Sequence, residues 1–190
     1  MPNPDTHDYE GALDVRRAYP PNAIGERAAG PRGGGGGEED DGGLHARSAA
    51  FSGHTLIPER FSYEGGNTSP PLQWDDVPPG TREVAVLCED PDAPGGTFTH
   101  WVVTGVPAEV TSFAEGSVPR GAAVGRNGFG EPGWGGPRPP VGDEPHRYFF
   151  RVFAVDRPLE LDEGATAEDV HAAVRGHVLA KGTLVGLFGR

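Results

Sequence analysis

Apolar positions in this chain fall in short, β-branched runs separated by turns rich in glycine, proline and aspartate. The runs Val84-Ala85-Val86-Leu87 and Trp101-Val102-Val103 predict two strands, Glu83 to Glu89 and His100 to Val106, the second ended by Pro107. His54 to Phe61 reads as a strand broken at Pro58, which would place it at a sheet edge. Asn67-Thr68-Ser69-Pro70-Pro71 forms a turn into Leu72-Gln73-Trp74, and Asp76-Val77-Pro78-Pro79-Gly80 forms another. From Ser112 to Pro145 no helical period appears, and a loop that long inside a domain is usually functional. The strongest strand is Arg147 to Val155. Tyr148, Phe150, Val152 and Ala154 share one face, while Phe149, Arg151, Phe153 and Val155 share the other. Both faces are largely apolar, so this strand is expected at the centre of a sheet. One stretch keeps a helical spacing. Thr166 and Asp169 form a capping box, Val170, Val174 and Val178 recur four apart, and Gly182 offers a stop. Thr183 to Phe188 then reads as a final strand. Many short strands with one late helix predict a mainly β, antiparallel sandwich with a C-terminal helix.

Residues 1–50 break this pattern. They carry few large apolar side chains and the tract Gly33-Gly34-Gly35-Gly36-Gly37-Glu38-Glu39-Asp40-Asp41-Gly42-Gly43. Such a segment buries too little apolar surface to offset its ordering entropy, so residues 1–50 are expected to form a disordered, Gly-rich acidic tail. No Gly-Lys-Ser/Thr follows the pentaglycine, which argues for a linker over a phosphate loop. The folded domain is expected over residues 51–190.

Composition narrows the function. Gly (31) and Pro (20) exceed a quarter of the 190 residues, as suits a loop-rich fold. The net charge is −12 and Lys181 is the single lysine, a balance that argues against broad nucleic-acid binding. Cys88 stands alone, which rules out an internal disulfide framework, and its place in a strand-like run suits a small buried residue better than a nucleophile. With neither a leader-like start nor a bilayer-spanning run, no transmembrane segment is expected and cytoplasmic is the default location.

Two stiffened loops carry the candidate chemistry. Between the first two central strands lies Asp90-Pro91-Asp92-Ala93-Pro94, followed by Phe98 and His100. Pro91 and Pro94 fix their own φ angles and push Asp90 and Ala93 toward extended backbone, so two carboxylates sit on a rigid rim. The second loop, Gly133-Trp134-Gly135-Gly136-Pro137-Arg138-Pro139-Pro140, repeats the design and delivers His146 at the threshold of a strand. A lone histidine there is more often structural than a ligand, but two such loops in one small domain shift the balance. Glycines admit close backbone approach and imidazoles supply charge-assisted donors, a combination suited to a small anion. Asp90 could then accept from an imidazolium, from an ammonium head group or from a monoprotonated phosphate. Asp92 could instead brace the loop.

In order and spacing these motifs resemble the two signature regions of the phosphatidylethanolamine-binding protein (PEBP) family, in its bacterial and archaeal YbhB/YbcL branch described as Raf kinase inhibitor-like. The residues that carry the likeness are Asp90-Pro91-Asp92-Ala93-Pro94, His100-Trp101, Gly136-Pro137-x-Pro139-Pro140-x-Gly142 and His146-Arg147-Tyr148, with Ser69-Pro70-Pro71-Leu72-x-Trp74 upstream. The resemblance covers about Phe51 to Arg190. It implies a sandwich of a large and a small sheet with an anion pocket at one end. Asp90, His100, His146 and Tyr148 would form that pocket, with Pro140, Phe98 and Trp134 as wall and Pro91, Asp92, Pro94, Gly136 and Pro137 shaping the loops. Ala93–Pro94 would be a cis peptide. Trp134 stands where the branch usually has Tyr. Arg138 stands where a small residue or Cys is common, and it could strengthen anion binding or block the mouth.

The expected function is a binding module with no cofactor, not an enzyme. Its ligand would be a phosphate-type anion or phospholipid head group, and its partner a protein such as a kinase or protease, with a homodimer left open. The alternative is a metal-dependent hydrolase using Asp90, Asp92, His100 and His146. A serine hydrolase lacks the Gly-x-Ser-x-Gly elbow.

Overall fold

The computed structural model describes residues 43–190. Two antiparallel sheets form the expected sandwich. In the small sheet β2 (Leu72–Asp75) lies between β1 (His45–Arg47) and β5 (Ser112–Phe113). The large sheet has the order β6-β4-β3-β7-β8, with β3 at Glu83–Asp90, β4 at Phe98–Val106, β6 at Ala123–Val124, β7 at His146–Val155 and β8 at Val178–Phe188. Both sheets are antiparallel throughout.

Period-2 alternation decides what each strand buries. Val84, Val86 and Cys88 of β3 and Tyr148, Phe150, Val152 and Ala154 of β7 pack into the core between the sheets, with Trp74, Trp101 and Phe113. Ala85 and Leu87 of β3 and Phe153 and Val155 of β7 point the other way, onto Leu159, Val170 and Val174. That second cluster docks the helix α1 (Ala167–Ala173) on the outer face of the large sheet. β7 is central, as its two apolar faces require. The capping box also forms, with Asp169 N–H donating to Thr166 Oγ1 at 3.3 Å and Thr166 N–H to Asp169 Oδ2 at 2.8 Å.

Four local expectations are corrected. The helix stops at Ala173, and Val178, the third residue of the apparent period, opens β8 and stands 39% exposed. A full ladder from Val155–Val178 to His146–Phe188 claims that stretch for the sheet, and pairing overrides the local spacing. His54 to Phe61 is not a regular strand. It touches the outer edge of β8 through one parallel bridge at Leu56–Leu187 and then turns as a 3-10 helix at Glu59–Phe61, after Pro58 removes a donor. The Ala93–Pro94 bond is trans, like every described peptide bond. The loop turns instead through side-chain and backbone bonds: Asp92 N–H donates to Asp90 Oδ1 at 2.8 Å and Gly96 N–H to Ala93 O at 3.1 Å.

The fourth correction is the domain boundary. Residues 1–42 of the expected tail lie outside the described residues, but residues 44–50 belong to the fold. Leu44 is fully buried in the main core and donates its N–H to Lys181 O at 3.1 Å. Gly182 admits this crossing, because a Cβ there would sit 2.5 Å from Leu44 O. The sequence pattern hid it: one leucine beside a glycine tract carries no period. Among the described residues no helix is long and apolar enough to cross a membrane.

Leu44→Ala is expected to cost about 2–4 kcal/mol, the range for a buried leucine truncation. A urea melt measures this. A loss under about 0.5 kcal/mol would show that the segment before β1 contributes no core.

Candidate functional site

The end of β3, the start of β4 and the start of β7 meet at one end of the large sheet. The registers Cys88–Phe150 and Glu89–Phe149 bring Asp90, one residue on, within diagonal reach of His146. Asp90 shares the parity of Cys88 and His146 that of Tyr148, so both turn to the inner side. They meet there: His146 Nδ1 lies 2.7 Å from Asp90 Oδ2, with both side chains buried.

His100 reaches the same place by a different device. Cys88 pairs with Trp101, but Glu89 pairs with Thr99, so His100 is an extra residue on β4. This bulge turns its ring to the inner side together with that of Trp101, against strict alternation. His100 contacts Phe98 at 5.0 Å, Tyr148 at 5.0 Å and Trp134 at 6.4 Å between ring centroids. Its Nδ1 lies 2.5 Å from Gly135 O. A carbonyl only accepts, so Nδ1 carries the proton and Nε2 of the neutral ring is an acceptor.

A small depression, open to solvent, is lined by Asp90, Ala93, Pro94, Phe98, His100, Phe129, Arg138, Pro139, Pro140 and His146. Of the residues expected in the pocket, Asp90, His100, His146, Phe98, Pro140 and Arg138 line it. Tyr148 lies beneath, fully buried against His100, and its hydroxyl has no hydrogen-bond partner among the described residues. Burial holds that phenol well above its ordinary range. Trp134 does not line the pocket. It stacks on Phe150 at 5.9 Å, donates Nε1–H to Phe61 O at 3.0 Å, and forms part of a separate groove with Asn67, Ser69 and Trp101.

The loop residues brace the site. Asp92 faces outward and takes Arg147 through backbone N (2.9 Å), Nε (3.0 Å) and Nη2 (2.8 Å), and this pairing holds its carboxyl below the usual range. Pro91 and Pro94 frame that turn. Gly136 must be glycine, since a Cβ would lie 2.2 Å from Phe61 O, and its N–H donates to Asn67 Oδ1 at 2.7 Å. Pro137 O accepts from Tyr63 N–H at 3.1 Å, fixing the second loop to the segment that follows the 3-10 helix.

Sequence reasoning missed Phe129, which packs on Phe98 at 4.8 Å and on Tyr63 at 4.6 Å. An aromatic residue set between Gly128 and Gly130 in the long loop was the available signal. Asp143, three residues before His146, also approaches the site, with its Oδ2 3.6 Å from His146 Nε2.

The two histidines are electrostatic opposites. The hydrogen bond to Asp90 lifts His146 above the ordinary value of 6.5 against the effect of burial. Burial pushes His100 below it, although Gly135 O and the Asp90 charge pull the other way. Cys88 is buried, and burial raises its thiol well above the usual range, so it is an inert core residue. Among the described residues no three His, Cys, Asp or Glu side chains are grouped to hold a metal ion. Asp92 turns away to Arg147, and one nitrogen of each histidine is already committed.

A small pocket at one end of a two-sheet sandwich, with aromatic and proline walls around an Asp–His pair, defines a β-sandwich protein with a candidate site at one end. Comparison with known proteins makes that class specific. The family profile described as phosphatidylethanolamine-binding protein matches residues 47–189. A UPF0098 protein of Methanothermobacter thermautotrophicus is 43% identical over 152 residues, covering 77% of this chain and 99% of that one. UPF0098 protein YbhB of Escherichia coli is 40% identical, covering 71% and 90%. The crystal structure of E. coli YbcL, described as a member of the mammalian PEBP family, superposes with a TM-score of 0.74 at 33% identity, covering 77% and 98%. The chain belongs to the phosphatidylethanolamine-binding protein family.

The split between the histidines is directly measurable. In long-range 1H–15N spectra at pH 6.5, His146 should be mostly imidazolium and His100 mostly neutral with its proton on Nδ1. The reverse assignment would overturn this electrostatic account of the site.

Proposed function

We propose that this protein is a binding module whose pocket takes a small phosphate-type anion, as a phospholipid head group or a phosphoryl group, and so modulates a partner protein such as a kinase or protease. The observation that carries the reading is His146, a buried imidazole held toward its charged form by Asp90 at the floor of a small pocket. A charge-assisted N–H aimed at a ligand from a partly dry site is worth more than the same bond in water. His100 complements it: a neutral Nε2 can accept the proton of a monoprotonated phosphate or of an ammonium group. Phe98, Phe129, Pro94, Pro139 and Pro140 are apolar and suit the ester portion of such a ligand. The name of the matched family, phosphatidylethanolamine-binding protein, supports the same class of ligand.

The hydrolase alternative finds less support. It needs Asp90, Asp92, His100 and His146 to converge, and Asp92 instead holds Arg147 outside the pocket.

His146→Ala is expected to weaken dimethyl phosphate binding at least about tenfold, the loss of one charge-assisted bond, and to lower stability by about 3–5 kcal/mol, because Asp90 is left buried without its partner. Calorimetric titration beside a urea melt reads both. Retained binding with a collapsed fold would make His146 structural.

Affinity should also depend on pH. His146 titrates above 6.5, and its charged form is the one that favours an anion, so a proton is held with the ligand. Affinity for a phosphodiester, which has no second ionisation, should therefore fall as pH rises through that titration, by up to about tenfold per unit. Burial pushes His100 below 6.5, so its titration lies on the acid side of that of His146. Titration with dimethyl phosphate from pH 6 to 9 with chelator present tests the sign. A flat or rising profile would remove the imidazolium from the binding step.

A further inference from the structure

The floor of the pocket offers a donor N–H on His146 but little net positive charge. Asp90 cancels the charge of His146 at 2.7 Å, Asp143 adds a second carboxylate 3.6 Å from the other ring nitrogen, and His100 is neutral. Among the described residues that line the pocket, Arg138 is the one permanent cation. It is exposed, and it is engaged elsewhere. Its guanidinium lies over the Tyr63 ring at 5.3 Å, and its Nε donates to Glu64 Oε1 at 3.2 Å.

Glu64 serves two arginines. Arg190 Nη1 approaches the same Oε1 at 2.6 Å, while Arg190 Nε donates to Pro139 O at 2.8 Å. Arg190 is therefore held at two points and Arg138 through one longer bond and a ring face. The depressed Glu64 carboxyl follows the same order, with Arg190 the larger cause. An exposed pair of this kind contributes little and is readily exchanged. Arg138 is the guanidinium free to change partner.

We infer that Arg138 is the residue that captures the anion in this pocket, held in reserve at the rim by Glu64 and Tyr63, and that Glu64 sets affinity by competing with the ligand for it. This rests on the anion-binding reading above and makes it more specific. A planar guanidinium matches two oxygens of one phosphoryl group, and a dianionic phosphomonoester gains more from it than a monoanionic diester. The ligand class is thus a terminal phosphate in preference to a bridging one.

The test is calorimetric titration of the full chain with methyl phosphate and dimethyl phosphate at about pH 7.5, above the second phosphate ionisation at about 6. The wild type should bind the monoester more tightly. Arg138→Ala should weaken the monoester at least about tenfold and the diester less, erasing the preference. Glu64→Gln should strengthen monoester binding about threefold or more, and this gain should vanish when it is combined with Arg138→Ala. A gain that persists in the double variant would mean that Glu64 acts through its field alone and would overturn the competition. Binding in Arg138→Ala within twofold of wild type, with His146 still required, would overturn the Arg138 assignment and leave the anion pocket standing. Failure of the wild type to bind either ester would overturn both. Because Arg138 and Glu64 are surface residues outside the core, a urea melt of each variant should match wild type, so a lost affinity reads as lost binding.

Discussion

The burial of β3 is the constraint on which the rest depends. All eight of its residues are buried, flanked by β4 and β7 and covered on both faces. Three of the eight are carboxylates, and a buried carboxylate without partners is very costly. Each is answered. Glu83 accepts from Gly105 N–H at 2.7 Å and Leu159 N–H at 2.9 Å, pinning the segment that leads to the helix. Glu89 faces the helix side, where Arg151 Nη1 meets it at 2.6 Å and His171 of α1 at 3.0 Å. Asp90 ends the strand on the opposite face and takes His146. The two buried acids inside the strand tie the scaffold together, and the one at its mouth, with the same need for a partner, creates the site.

Strand parity was legible because it depends only on neighbours in sequence. The alternation along β7 separates Tyr148, Phe150, Val152 and Ala154 from Phe149, Arg151, Phe153 and Val155 before any coordinates are known, and the capping box at Thr166 reads equally directly. What strand parity could not supply depends on distant contacts. His100 reaches the pocket through a bulge, and an inserted residue leaves no mark in a run of apolar strand residues. Val178 has helical spacing and strand pairing, and only the ladder with β7 decides between them. Leu44 joins the core because Gly182, far along the chain, leaves room for its backbone. Trp134 has the chemistry of a pocket wall, but its Nε1–H finds Phe61 O, and the ring is drawn into the stack on Phe150.

The histidines show how two identical side chains acquire different roles. His100 hydrogen-bonds a carbonyl and is wrapped in rings, so removal from water dominates and favours the neutral form. His146 hydrogen-bonds a carboxylate, and that contact outweighs the same penalty. Donor and acceptor therefore face one small space at neutral pH, an arrangement that two charged or two neutral imidazoles could not supply.

The charge arrangement around that space is layered. Inside, Asp90 and His146 nearly cancel, so the buried pair costs little net field and keeps one polar N–H in place. Outside, Asp92 with Arg147 and Glu64 with Arg190 form exposed pairs that fix the loops and add little net charge. Arg138 belongs to neither layer fully: it lines the pocket, yet its bond lies with Glu64 beyond the rim. In a chain of net charge −12, a pocket that attracts anions must draw its attraction from a local cation, because the long-range field opposes approach. Exposed charges feel that field only within roughly a Debye length of 8–10 Å, so a rim guanidinium can outweigh it at contact. On the proposed reading, the weakly held cation at the mouth, more than the balanced pair at the floor, would decide which anions stay.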